Sequence, residues 1–156
     1  MSMGILTVAC FAAMLGAILA TSDLWNAAKK GKTDVVIALI NSGADVEASN
    51  ENGWITIMVA TEAGHLDTVE ALILANANIS AATNNVGSYG KGWTALHIAA
   101  HKKQSDIAQL LLRTGADKLV KDKKGKIPAD VARKKGYSQL AKIIDDFIRH
   151  HFTQYH

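Results

Sequence analysis

Gly92-Trp93-Thr94-Ala95-Leu96-His97-Ile98-Ala99-Ala100 decides how the rest of this 156-residue chain is read. Thr94 stands directly before an apolar run, where its hydroxyl can serve the free N–H groups at a helix start. Behind it, Leu96, Ile98, Ala99 and Ala100 continue without a proline or glycine to break a helix. The segment that follows leads to a repeat. Gly31-Lys32-Thr33-Asp34-Val35-Val36 returns as Gly64-His65-Leu66-Asp67-Thr68-Val69, 33 residues on. Lys103-Gln104-Ser105-Asp106-Ile107-Ala108 comes after 39 residues, and Gly136-Tyr137-Ser138-Gln139-Leu140-Ala141 after another 33.

Each unit reads as two short helices. Leu24, Ile57, Leu96 and Ala129 share one register, as core residues of stacked first helices should. Second helices carry apolar residues at helical spacing: Val35, Val36, Leu39 and Ile40; Val69, Leu72 and Ile73; Ile107, Leu110 and Leu111. Gly43 and Gly115 fall where those helices stop in a left-handed conformation, and Asn76 takes that place in the second unit. Lys103 stands where the other units have glycine between helices, a strain of about 1 kcal/mol if the position needs positive φ.

The pattern resembles the ankyrin repeat over residues 22 to about 148. The 92–100 stretch is close to the family's G-x-T-P-L-H-x-A-A, with Ala95 in place of proline; Gly125-Lys126-Ile127-Pro128-Ala129-Asp130-Val131-Ala132 is a variant of it. Unit two departs from it with Ile55-Thr56-Ile57-Met58. The resemblance implies an all-α ankyrin-repeat solenoid of about four helix-turn-helix repeats with short β-hairpin loops. The repeats are expected near 22–50, 51–83, 90–122 and 123–150, with an insertion at 84–89. The first unit would be a cap. The second helix of the last unit is expected to run on through Asp145-Asp146-Phe147-Ile148-Arg149-His150 as a polar C-terminal cap.

Ahead of the repeats, Met3 to Ala20 is uncharged and apolar. It reads as a signal peptide over 1–22, cleaved after Ala20 or Ser22, although Met1-Ser2-Met3 lacks the usual positive charge. A retained membrane anchor and a buried N-terminal helix are the alternatives. The first reading makes 23–156 an exported domain, periplasmic if the source is bacterial, with no cysteine left once Cys10 is removed.

Charge is unevenly placed. Residues 23–90 hold three Lys/Arg and eight Asp/Glu, a net of −5; residues 91–156 hold fourteen and six, a net of +8. That asymmetry can steer an acidic partner. No nucleophile elbow, dinucleotide fingerprint, P-loop or H-E-x-x-H is present, so no catalytic residue, cofactor or metal is assigned. His150, His151 and His156 cluster with Tyr155, but no carboxylate or cysteine completes a metal set. His97 is read as structural, tying neighbouring turns. The lysines have no interleaved stacking aromatics, which argues against nucleic acid, and no small-molecule substrate is expected.

The resemblance therefore implies a non-catalytic module that binds another protein through a concave face of hairpin tips and first helices. Residue by residue it points to Glu51, Asn52, Trp54 and Glu62 in unit two. In unit three it points to Tyr89 of the insertion, Lys91, Trp93, His101 and Lys102, and in unit four to Lys123, Lys124, Lys126 and Lys134. Trp54 and Trp93 both follow a hairpin glycine, and an exposed pair there would make a binding hot spot; the competing reading folds each ring over its neighbouring hairpin. By family analogy the role is accessory, protective or toxin-neutralising, with a membrane-anchored scaffold or a host-cell adaptor as alternatives.

Overall fold

The structure, a computed structural model, describes residues 22–84 and 89–147. The apolar N-terminal segment 1–21, on which nearly all of the expected signal peptide falls, the middle of the insertion and the C-terminal histidines lie outside those residues. The described chain contains helices and no strand. It divides into two compact units, the first holding residues up to Asn50 together with Trp54–Asn78, the second Glu51–Gly53 and everything from Ile79 onward.

The first unit holds α1 (22–29), α2 (Thr33–Asn41), α3 (Thr56–Ala63) and α4 (Leu66–Leu74). Within it, α4 packs on both α2 and α3. The register residues Leu24 and Ile57 are fully buried, as are Val36, Met58, Val69 and Leu72. The second unit holds α5 (Ala95–Lys102), α6 (Ser105–Thr114), α7 (Pro128–Lys134) and α8 (Ser138–Asp146). There α5 packs on α6 and α7, and α8 closes against α6 and α7. Leu96, Ile98, Leu111, Ala129, Leu140 and Ile144 are its buried core.

The same turn repeats at every junction. After each inner helix an N–H reaches back five residues to a helix carbonyl: Lys32 to Ala27 (3.0 Å), His65 to Ala60 (3.1 Å), Gln104 to Ala99 (2.9 Å) and Tyr137 to Ala132 (2.9 Å). The carbonyls are spaced 33, 39 and 33 residues apart, the repeat read from the sequence. This is the closing bond of a Schellman turn, and it requires the preceding residue to be left-handed. Gly31, Gly64 and Gly136 meet that need, and Lys103 is forced to, at φ +61°. The outer helices end likewise, with Gly43, Asn76 and Gly115 at positive φ before Ala44, Ala77 and Ala116 bond back to Leu39, Leu72 and Leu111.

One expectation is corrected. α8 stops at Asp146, and Phe147 is extended (φ −62°, ψ 108°), so the helix does not run on through Phe147, and the rest of the expected extension lies outside the described residues. The Lys118 ammonium ends it by donating to the carbonyls of Asp145 (2.6 Å) and Phe147 (2.8 Å), the orphan acceptors of a last helical turn.

Candidate functional site

The second unit carries a groove of about 500 Å³ bounded by two hairpin fingers and the ends of α5 and α7. Local sequence builds each finger. In the last one, Asp122 accepts the N–H groups of Lys124 (2.8 Å) and Lys126 (2.9 Å) on Oδ1. Its backbone closes the hairpin with bonds from Asp122 N to Lys126 O and from Gly125 N to Asp122 O, both 2.9 Å. The preceding finger is closed by Thr83, which exchanges backbone bonds with Gly92 and Trp93 while its hydroxyl accepts the Trp93 N–H (2.9 Å). Asp122 and its partner Lys126 stand four positions apart, whereas Thr83 and Trp93 stand ten apart, so this finger is six residues longer. The fingers touch at the tips, where Lys123 N donates to Lys91 O (2.9 Å). Gly92, at φ +85°, is glycine there because a Cβ would lie 3.3 Å from the Asp122 backbone.

Trp93 lies between these fingers and is only 8% exposed, so of the two readings the sequence leaves open its ring takes the one that folds over the neighbouring hairpin. Its indole N–H donates to Asp122 Oδ2 (3.1 Å), and its ring stacks on His97 at 5.8 Å between centroids. Gly90 passes over the indole so closely that a Cβ would meet Nε1 at 2.5 Å. The physical reason is that a Trp next to a carboxylate on the following finger gains a buried hydrogen bond as well as burial.

His97 is fully buried and ties three pieces together. The Lys126 carbonyl can only accept, so Nε2 carries the proton and donates to it (3.1 Å). The Thr94 N–H can only donate, so Nδ1 is the bare nitrogen that receives it (3.2 Å); the Thr94 hydroxyl lies 3.1 Å from the same atom. His97 thus serves the N-cap backbone as a Glu or Gln does in a capping box. This bonding demands a neutral ring. Burial lowers its pKa below the usual 6.5, against the pull of the Lys126 carbonyl and the Asp122 charge. For Asp122, burial pushes the pKa up, but the N–H donors of Lys126, Lys124 and Trp93, with His97 nearby, outweigh it and hold the carboxyl below its usual range.

The groove has two unlike walls. One is aromatic: Tyr89 lies 5.2 Å from Trp93 and, edge to face, 5.2 Å from His101, which lies 5.4 Å from Trp93. The Lys102 ammonium sits 5.8 Å above the Tyr89 ring. The other wall is basic and carries Lys124, Lys126, Lys134 and Lys135 beside Val131. Asp130 lies there too, but it accepts the Ile127 N–H (3.2 Å) and pairs with Arg133 (2.7 Å), whose other nitrogen binds Asp145. None of the four lysines makes an ion pair with another described residue.

Of the residues singled out in the sequence, Tyr89, Trp93, His101, Lys124, Lys126 and Lys134 come together in this groove. Lys102 joins through Tyr89, and Lys91 and Lys123 mark the paired fingertips. Glu51 and Asn52 do not line it; they belong to an earlier finger, where the Asn52 carbonyl accepts from Asn84 (3.1 Å). Trp54 and Glu62 belong to the first unit. Trp54 is half-buried, and its N–H donates to Asn50 Oδ1 (3.1 Å). Sequence reasoning missed Asp122 and Asp130. A signal for Asp122 was present: it stands three residues before its hairpin glycine, as Asn50 stands before Gly53. Among the described residues no three His, Cys, Asp or Glu gather as metal ligands, and no helix is long and apolar enough to cross a membrane.

Comparison with known proteins follows the same register. A family model described as ankyrin repeats (three copies) matches residues 24–122 and 77–144. An ankyrin repeat-containing protein of Schizosaccharomyces pombe is 32% identical over 81% of this chain and 58% of its own length. The putative ankyrin repeat protein YahD of Escherichia coli is 36% identical over 64% of this chain and 50% of its own. The E3 ubiquitin-protein ligase XBAT33 of Arabidopsis thaliana is 34% identical over 80% of this chain but only 23% of its own length. The chain thus spans between a quarter and three fifths of these relatives.

Proposed function

The chain belongs to the ankyrin-repeat family, whose repeats are a protein–protein interaction module, and on that premise we propose that it binds an acidic surface of a partner protein through the finger-and-inner-helix face of its second unit, the concave face in this family. The observation that carries the reading is the set of four groove lysines left without ion pairs while both groove carboxylates are occupied. A face with uncompensated positive charge speeds encounter with an acidic partner and rejects a basic one. The reading is one of binding, since ankyrin repeats typically serve as non-catalytic interaction modules. The ligase activity named for XBAT33 is said of that longer protein, of which this chain spans 23%.

Two further parts of the proposal rest on sequence. The apolar run Met3–Ala20 acts as an export leader, and the exported chain serves as an accessory or protective partner, neutralising a toxin or shielding an enzyme. Affinity capture from the native source tests the whole reading, with Lys124→Glu/Lys134→Glu as the matched control and the bait's N-terminus read by mass spectrometry. A partner captured by the unmodified chain and lost in the double variant supports the face; a partner retained by the variant overturns it. An N-terminus at Thr21 or Asp23 supports export with cleavage, and an intact Met1 replaces it with an anchored chain.

A further inference from the structure

We infer that the groove of the second unit takes a short acidic segment built around one aromatic side chain, with the segment's carboxylates on the lysine wall and its ring against Tyr89 and His101. The inference rests on the interaction face proposed above and names what that face recognises.

Size comes first. A groove of about 500 Å³ lies in the range of pockets that enclose a drug-sized group, so it receives a few side chains of a partner rather than a flat surface. Its two walls then ask for two chemistries. Lys124 and Lys126 approach from the finger, and Lys134 and Lys135 from the end of α7. Asp122 is saturated by three N–H donors, and Asp130 by Arg133 and the Ile127 N–H. Those ammonium groups are exposed and keep no carboxylate of the described chain, so a partner's carboxylates can pair with them.

The opposite wall is apolar and ordered. Tyr89 and His101 meet at 83°, and Trp93 and His101 at 63°, edge-to-face arrangements that a further ring can extend at 4.5–7 Å. Val131 of α7, 7% exposed, adds an aliphatic surface beside the lysines. The wall is held before any partner arrives: Trp93 is fixed by Asp122 and by the close pass of Gly90, and Tyr89 leans on Trp93. A preformed aromatic wall lowers the ordering cost of binding. The rings pack against one another rather than standing between the lysines, which favours a peptide over stacked bases.

The test is fluorescence anisotropy of the intact chain with three fluorescein-labelled ten-residue peptides. One is Glu/Asp-rich with a central Phe, the second has Ala for that Phe, and the third has Lys for every acidic residue. The acidic Phe peptide should bind, the Ala version about tenfold more weakly, and the Lys version not at all. Lys124→Glu/Lys134→Glu should weaken the Phe peptide at least about tenfold and flatten its salt dependence. Tyr89→Ala should erase the Phe-over-Ala preference while the salt dependence stays, and Tyr89→Phe should keep both. Circular dichroism melts of each variant separate a lost wall from a lost fold, and Tyr89→Phe preserves the test if Tyr89→Ala does not fold. Equal binding of the Phe and Ala peptides, equal binding of the Lys peptide, or tighter binding of a single-stranded oligonucleotide overturns the inference. If the native partner still depends on Lys124 and Lys134 while the peptides are not discriminated, the interaction face stands and this inference alone falls.

Discussion

Trp54 and Trp93 follow the glycines of successive fingers, yet one is half-buried and the other almost wholly enclosed. The finger of Trp54 closes in the shortest way, with Asn50 N donating to Trp54 O (3.0 Å) and Asn50 Oδ1 accepting the Trp54 N–H. The finger of Trp93 is six residues longer, returns Tyr89 and Gly90 onto the indole, and faces a hairpin that supplies Asp122. Equivalent register positions thus become a packing residue or a surface one according to what their neighbours bring. The largest test of this contrast is truncation. Trp93→Ala removes a buried aromatic and one donor of Asp122 and should cost about 3–5 kcal/mol. Trp54→Ala should cost about 1–2 kcal/mol, as expected for partial burial. Urea denaturation of both variants gives the comparison, and equal losses would break it.

The start of the inner helix offers a second contrast. Repeat three opens with Thr94 and His97, and repeat two with Ile55 and Met58 in the same places. Both His97 and Met58 are fully buried, so packing alone does not require an imidazole. What the imidazole adds is a bond at each nitrogen and a dependence on pH. Its folded-state pKa lies below the usual 6.5, so below that pH the unfolded chain binds the extra proton. Its contribution is therefore complete above about pH 6.5 and is lost as pH falls from there through the folded value. Asp122 has the same sign in a lower window: its lowered pKa stabilises the fold above about pH 3.8 and that contribution fades on further acidification. His97→Met converts repeat three to the pattern of repeat two. It should cost about 1–3 kcal/mol at pH 7, because the Lys126 carbonyl and the Thr94 N–H lose their partner. It should also flatten the pH dependence between 5 and 7, where one proton can contribute no more than about 1.4 kcal/mol per pH unit. Denaturation midpoints measured across that window check the claim, and an unchanged slope would remove His97 as its source.

The fold was legible because its determinants are local and recur. Glycine at the inner-helix ends, Asn76 and Gly115 at the outer ones, and Leu24, Ile57, Leu96 and Ala129 in register can all be read without tertiary knowledge, and the turns carry the same 33–39–33 spacing. The groove was legible only in part. Tyr89, His101, Lys124, Lys126 and Lys134 follow from repeat position. Whether Trp93 faces solvent depends on Asp122, 29 residues away, and on a loop returning Gly90 across the indole. Such pairings between fingers leave no periodic trace. The early stop of α8 is similar, since Lys118 reaches its last carbonyls from 27 and 29 residues away.

The smallest effect tests the junctions themselves. Gly64 and Lys103 both end an inner helix in the left-handed conformation, at φ +81° and +61°. Left-handed backbone costs a residue with a Cβ about 1 kcal/mol, so Gly64→Ala should destabilise by about that amount and Lys103→Gly should recover it. The lysine, however, holds its ammonium 5.6 Å from the Tyr137 ring, a contact worth about 0.5 kcal/mol at an exposed site. Lys103→Gly should therefore stabilise by about 0.5 kcal/mol net, a rise of a few degrees in melting temperature. Lys103→Met separates the two contributions, since it keeps the strained Cβ and discards the charge; it should destabilise by about 0.5 kcal/mol. If Lys103→Gly and Lys103→Met destabilise alike, the ammonium–ring contact outweighs the backbone strain, and the lysine is held at this junction by Tyr137 rather than merely tolerated there.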